Sequence, residues 1–154
     1  MYSHYDNMYA KAAPPRFSKI TEHIYLGSEK GRLHLEEMGI DEVISITDPY
    51  PDHPEIKIPE TTFYLEDSKW AKIIPVVNAC NEIIDRVVRE KKRVFVHCRM
   101  GISRSPSIVI GWLIHTGMSY EDAIALVHEK RNCIDPNSRF RLDLQEFHRF
   151  KNPD

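Results

Sequence analysis

The strongest constraint on how this chain can fold is one run: Val94-Phe95-Val96-His97-Cys98-Arg99-Met100-Gly101-Ile102-Ser103-Arg104-Ser105-Pro106. It opens on an apolar β-type stretch, turns through a short loop, and passes into a segment, Ile108 to Ile114, that is apolar nearly all round. Pro106 marks the first turn of the helix carrying that segment, where a proline's missing N–H costs nothing. A helix apolar on every side must be central and buried. Strand, tight loop and buried helix in direct succession fit an α/β sheet covered by helices. In such sheets ligands collect at the C-terminal ends of strands, and Cys98 stands at the C-terminal end of this one.

The rest of the chain supplies the remaining layers. Ile20 to Leu26 carries a β-type stretch that Gly27-Ser28 breaks. Ser28 is placed to cap a short helix through Met38, and Gly39 to end it. Val43 to Ile46 reads as a buried strand, and Asp48 to Pro59, with four prolines, as a loop. Thr61 to Leu65 is β-rich and is closed by Glu66-Asp67-Ser68. From Ile73 to Val88 apolar residues recur at spacings of three and four, an amphipathic helix with Pro75 in its first turn. Ser119-Tyr120-Glu121-Asp122 resembles a capping box for a helix to about Arg131. Asp135-Pro136-Asn137 is a turn, and a last helix runs from about Ser138 to Phe150. The order predicts one compact α/β domain over residues 16–151, a central, mostly parallel sheet flanked by helices. A mobile tail is expected over residues 1–15.

Composition narrows the class. With 154 residues the chain holds one core, and 42% hydrophobic with 29% charged residues is an ordinary globular balance. Lys plus Arg is 21 against 23 for Asp plus Glu, so no overall positive field attracts nucleic acid or an anionic membrane. The apolar stretch Ile108 to Ile114 is too short to insert across a bilayer. Met1 to Asp6 carry no apolar signal core, and Tyr2 excludes myristoylation. Three cysteines without regular spacing make no disulfide framework. A monomer in a reducing compartment, the cytoplasm and also the nucleus, is expected.

The loop after Cys98 dictates a chemistry. Successive N–H groups there can curl into a nest around a dianion, with the positive end of a helix behind them. Gly101 permits the turn, and Arg104 presents a planar fork that grips two phosphate or sulfate oxygens at once. The backbone of Arg99, Met100, Gly101, Ile102 and Ser103 would hold those oxygens together with Arg104. A thiol at a helix N-terminus beside an arginine exists largely as thiolate, and a thiolate beneath a bound phosphate is an in-line nucleophile. Ser105 can donate a hydrogen bond to the sulfur when it leaves. His97 reads as a support that orients the loop rather than as a base. No metal or cofactor is needed. A leaving oxygen requires a proton, so a general acid should sit on another loop over the same edge. Asp67 is the candidate and Glu66 the rival; alternation along Phe63-Tyr64-Leu65 does not choose between them.

His97-Cys98-Arg99-Met100-Gly101-Ile102-Ser103-Arg104-Ser105 resembles the signature loop of the cysteine-based protein tyrosine phosphatases, Cys-x5-Arg with flanking His and Ser. The wider pattern is similar to the small dual-specificity phosphatases: Ile24 to Ser28 resembles their opening strand and Gly39-Ile40 their first helix end. Asp67 resembles their general acid, and Arg131 with Pro136-Asn137 and Phe140 the stretch beyond their catalytic helix. The resemblance covers about residues 17 to 150 and implies hydrolysis of phosphotyrosine, phosphoserine and phosphothreonine on protein substrates, with a shallow pocket and a place in signalling. Glu29-Lys30-Gly31-Arg32 is more charged than the family pattern.

Three further readings compete. A phosphoinositide, an RNA 5′ end or a glucan can be dephosphorylated by the same loop chemistry, although no lysine in the loop and no carbohydrate-binding extension support them. A non-catalytic phosphate-binding adaptor would not require Cys98, Arg104, Ser105 and Asp67 together. A sulfurtransferase would leave Ser105 and Asp67 without a task. Outside the loop, Cys80 lies on an apolar helix face and reads as core. Cys133 could trap an oxidised Cys98. The histidines at 4, 23, 34, 53, 115, 128 and 148 lack paired metal spacing. Trp70 reads as a lid anchor or an aromatic over the core, and Lys130, Arg131, Arg139 and Arg141 as a basic rim or as partners of nearby acids.

Overall fold

In a computed structural model, which describes residues 14–151, the run that opens with Val94 forms the middle of a five-stranded sheet. The strands are β1 (Phe17–Lys19), β2 (Ile24–Ser28), β3 (Glu42–Thr47), β4 (Glu60–Tyr64) and β5 (Val94–Cys98), in the spatial order β1-β2-β5-β3-β4. All neighbours pair in parallel except β1, which runs antiparallel to β2 at the edge. The helices are α1 (Leu35–Met38), α2 (Ile74–Arg89), α3 (Arg104–His115), α4 (Tyr120–Lys130) and α5 (Ser138–Lys151), with a 3₁₀ helix at Glu29–His34 before α1. The mobile tail expected over residues 1–15 lies outside the described residues except for Pro14 and Pro15.

Alternation along β5 divides its side chains between two cores. Val94, Val96 and Cys98 face a large cluster with Ile44 and Ile46 of β3, Val77 and Ile84 of α2, and Ile108 and Ile110 of α3. Phe95 joins Tyr25, Met38, Ile40 and Val43 on the opposite face. His97, two residues on, shares that face and stacks on Phe95 at 5.4 Å between centroids. A strand buried on both sides explains the unbroken apolar run that opens the motif. Ten of the twelve residues of α3 are buried, in keeping with an apolar segment that has no polar face.

The parallel pairing of β3 with both β4 and β5 puts their C-terminal ends on one edge of the sheet. The loops after Thr47, Tyr64 and Cys98 therefore converge, and this is what the fold contributes to the site. Pro75 occupies the first turn of α2, and Ser119 caps α4 by accepting a hydrogen bond from Asp122 N at 3.0 Å.

The structure differs from expectation at the start of the domain. Gly27 and Ser28 do not break the strand; they are its last two residues, paired with His97 and Cys98. A Cβ on Gly27 would lie 2.2 Å from the Arg16 carbonyl oxygen, so glycine there allows β1 to close on β2. The Ser28 side chain makes no capping hydrogen bond, and the following turns are 3₁₀ before they become α-helical. Among the described residues no helix is long and apolar enough to cross a membrane.

Candidate active site

The loop from Cys98 to Arg104 is built by its carbonyls. Arg99 O accepts from Glu29 N at 3.2 Å, and Ile102 O from Asp135 N at 2.7 Å. Arg131 donates through Nε to Gly101 O at 2.9 Å and through Nη2 to Met100 O at 3.2 Å. Ser103 O accepts from Ser107 N and from Ser107 Oγ, the latter at 2.7 Å. Every carbonyl from Arg99 to Ser103 is thus engaged from outside the loop, the arrangement in which loop amides can form a nest. Gly101, at φ +70°, makes the turn, and its N–H donates to Cys98 Sγ at 3.2 Å. A Cβ there would meet the Gly27 carbonyl carbon at 2.5 Å and Arg131 Nη2 at 2.6 Å.

Ser105 Oγ lies 3.1 Å from Cys98 Sγ and 3.4 Å from Gly27 O. Arg104 is buried, with Nη1 donating to Leu65 O at 3.0 Å and to Asp48 Oδ1 at 3.2 Å. Asp67, Cys98, Arg99, Met100, Ile102, Ser103 and Arg104 line one cleft of about 380 Å³. Asp67 Oδ1 accepts from Ser103 Oγ and from Asn137 Nδ2, each at 2.8 Å. Glu66 does not line this cleft; its carboxylate accepts from Ser68 Oγ at 3.2 Å.

His97 sits behind the loop. Its Nδ1 is 3.2 Å from Cys98 O and its Nε2 is 3.1 Å from Arg32 Nη1. A guanidinium only donates, so Nε2 accepts and Nδ1 carries the proton that it donates to Cys98 O. Burial pushes the imidazole down to about 4, opposed by the Cys98 carbonyl and assisted by the charge of Arg32. With both nitrogens occupied, the neutral ring has no lone pair for the thiol.

Several parts of this arrangement were not legible beforehand. Arg131 does not form part of a rim; it is fully buried beneath the loop, bound also to Ser18 Oγ at 3.0 Å. Burial lowers its pKa, against the opposing influence of Cys133 and Cys98. Arg32, read only as an unusual charge, is buried and ion-paired with Glu60, with Nη2 also donating to Pro54 O at 2.8 Å. Asp48 follows β3 on the same sheet edge as Asp67, and a carboxylate in the loop after a strand is the signal that marks both. Arg139 and Arg141 pair with Asp143 and Asp135. Trp70 is 78% exposed and covers no core, and Cys80 is buried with its thiol pushed up to about 12 by desolvation.

The family model described as dual specificity phosphatase, catalytic domain, matches residues 24–150. The chain belongs to the dual-specificity phosphatase family. It is 36% identical to human dual specificity protein phosphatase 8 over 141 residues, covering 86% of this chain and 22% of that relative. This dual-specificity phosphatase domain thus spans about a fifth of that longer protein. It is also 29% identical to the putative tyrosine phosphatase 123R of Invertebrate iridescent virus 6, covering 88% of this chain and 94% of the viral protein. Among solved structures, the human tyrosine phosphatase-like serine/threonine/tyrosine-interacting protein superposes with a TM-score of 0.83 at 30% identity. The match covers 88% of this chain and 98% of that one.

Proposed function

We propose that this chain hydrolyses phosphomonoesters on phosphotyrosine and on phosphoserine or phosphothreonine of proteins, through a phosphocysteine intermediate. The observation that carries the reading is the loop in which five consecutive carbonyls are held outward while Gly101 N–H and Ser105 Oγ meet Cys98 Sγ. Such a nest, with the N-terminus of α3 and the Arg104 fork beside it, favours an anion at the sulfur and a dianion above it. The amides of Arg99, Met100, Gly101, Ile102 and Ser103 and the Arg104 fork bind the three non-bridging phosphoryl oxygens, where transition-state charge accumulates.

In the first step the Cys98 thiolate attacks phosphorus as the P–O bond to the substrate breaks, and protonated Asp67 gives its proton to the leaving oxygen. In the second, the Asp67 carboxylate takes a proton from water, which attacks phosphorus as the P–S bond breaks. Ser105 then donates to the departing thiolate, and inorganic phosphate leaves. His97 fixes the Cys98 carbonyl. A nucleophilic thiol implies a reducing compartment, the cytoplasm or the nucleus, and the three described cysteines are free.

Replacing Cys98 with serine should abolish turnover of phosphopeptides while retaining their binding. Asp67→Ala should lower turnover about 10²- to 10⁴-fold and flatten one limb of the pH profile. Full activity in Cys98→Ser would end this mechanism. A phosphoinositide, a 5′-phosphorylated RNA and a phosphoglucan belong in the same assay, and faster hydrolysis of any of them would overturn the protein substrate.

A further inference from the structure

Asn137 stands at the start of α5, in a turn that ordinary sequence reading treats as punctuation. In the structure it touches three elements at once. Its backbone N–H donates to Ser103 Oγ at 2.9 Å, on the phosphate-binding loop. Its Oδ1 accepts from Phe140 N at 2.9 Å, capping α5. That bond fixes which end of the amide is which, so Nδ2 is the group directed at Asp67 Oδ1, 2.8 Å away, and at Ser68 O, 3.4 Å away. Ser103 completes the arrangement. Its oxygen accepts from Asn137 N, and its single proton goes to Asp67 Oδ1 at 2.8 Å.

Asp67 Oδ1 therefore receives two hydrogen bonds from groups that are themselves held in place, although Asp67 lies on an exposed loop. A carboxylic acid offers one acceptor oxygen of carbonyl character and one O–H. Two donors directed at Oδ1 select it as the carbonyl oxygen.

We propose that Asn137, acting with Ser103, is a positioning residue that holds Asp67 over the phosphate-binding loop with its acidic proton on Oδ2. The proposal rests on the reading of Asp67 as general acid. It makes the α4–α5 turn a strut between two loops that approach the substrate from different strands: Asp135 N binds the loop at Ile102 O, and Asn137 binds both the loop and the acid. The plain alternative is that Asn137 only caps a helix, its contact with Asp67 incidental.

Two substitutions separate these. Asn137→Ser and Asn137→Asp both keep a side-chain oxygen able to cap α5, and both remove the amide donor. The measured quantity is kcat/KM, which reports breakage of the P–O bond and not later hydrolysis of the phosphoenzyme. A phosphothreonine peptide has an alkoxide leaving group that depends on the acid; 2,4-dinitrophenyl phosphate has a leaving group that needs almost no proton. Each variant should lose at least tenfold on the peptide and less than twofold on the dinitrophenyl ester. In an Asp67→Ala background Asn137→Ser should cause no further loss on the peptide.

Equal losses on both substrates, a further loss in the Asp67→Ala background, or no loss on the peptide would each overturn the positioning role while leaving the acid intact. If Asp67→Ala itself leaves the peptide rate unchanged, the general acid is misassigned and this proposal falls with it.

Discussion

The pH dependence of stability should bear the mark of His97. Its imidazole is fully buried, and burial, the dominant influence, holds its pKa at about 4 against an ordinary 6.5. Above 6.5 neither the folded nor the unfolded chain protonates this ring, and below about 4 both do. Between those limits the unfolded chain alone takes up the proton, so folding becomes less favourable as pH falls through the window. A drop from 6.5 to about 4, at about 1.4 kcal/mol per pH unit, amounts to about 3 kcal/mol. The perturbation is His97→Asn, which cannot titrate. It costs stability at every pH, because Cys98 O and Arg32 lose a partner, but that cost does not vary with the protonation of the ring. Urea denaturation of both proteins in steps from pH 7 to pH 4, with further points below pH 4, isolates the effect. The wild-type advantage over the variant should shrink by about 3 kcal/mol across the series and level off below it. A constant difference between the two curves, or one that grows as pH falls, would refute a buried neutral His97.

Other consequences follow from the loop. Gly101→Ala puts a Cβ 2.5 Å from the Gly27 carbonyl carbon at a φ of +70°, and should cost about 1–3 kcal/mol in urea titrations together with most activity. Wild-type stability in that variant would mean the loop can take another shape. Arg131→Met leaves the buried Gly101 carbonyl without its donor, at about 1–3 kcal/mol, and also removes the donor to the part-buried Met100 carbonyl. The affinity for vanadate should fall with it, and unchanged affinity, read by competition, would show that Arg131 does not shape the anion site. Ser105→Ala should slow phosphoenzyme breakdown, so that p-nitrophenyl phosphate gives a burst of nitrophenol with kcat reduced and kcat/KM nearly preserved. A loss confined to kcat/KM would contradict its action on the departing sulfur.

What could be read in the sequence and what could not divide on a physical line. Cys98, Arg104 and Ser105 belong to one continuous turn whose spacing alone constrains its shape, so two results were legible: Cys98 and Arg104 lining one cleft, and Ser105 meeting the sulfur behind it. The helices α2 and α3 were legible because their apolar residues repeat locally or fill every face. β1 was not, because three residues at a sheet edge carry no periodicity and form only by pairing with β2. Gly27 reads as a strand breaker for a related reason: its role is to admit the Arg16 backbone, which only the pairing of β1 with β2 brings beside it. In the sequence Arg131 reads as a rim residue or a partner of nearby acids, and Arg32 only as an added charge, because arginine is rarely buried; only the fold supplies the carbonyls and the carboxylate that make burial tolerable. Asn137 looked like a turn residue and is one; its contact with Asp67 joins positions that only the folded chain brings together.

The central claim is that the Cys98 sulfur carries the phosphoryl group between substrate and water. Mixing the wild-type protein with a phosphotyrosine peptide, quenching within one turnover and mapping the digest by mass spectrometry tests it directly. The account predicts one phosphoryl group on the peptide that contains Cys98, appearing before free phosphate and decaying as phosphate is released. Phosphate release with no modified Cys98 at any time, or a phosphoryl group on another residue, would contradict it.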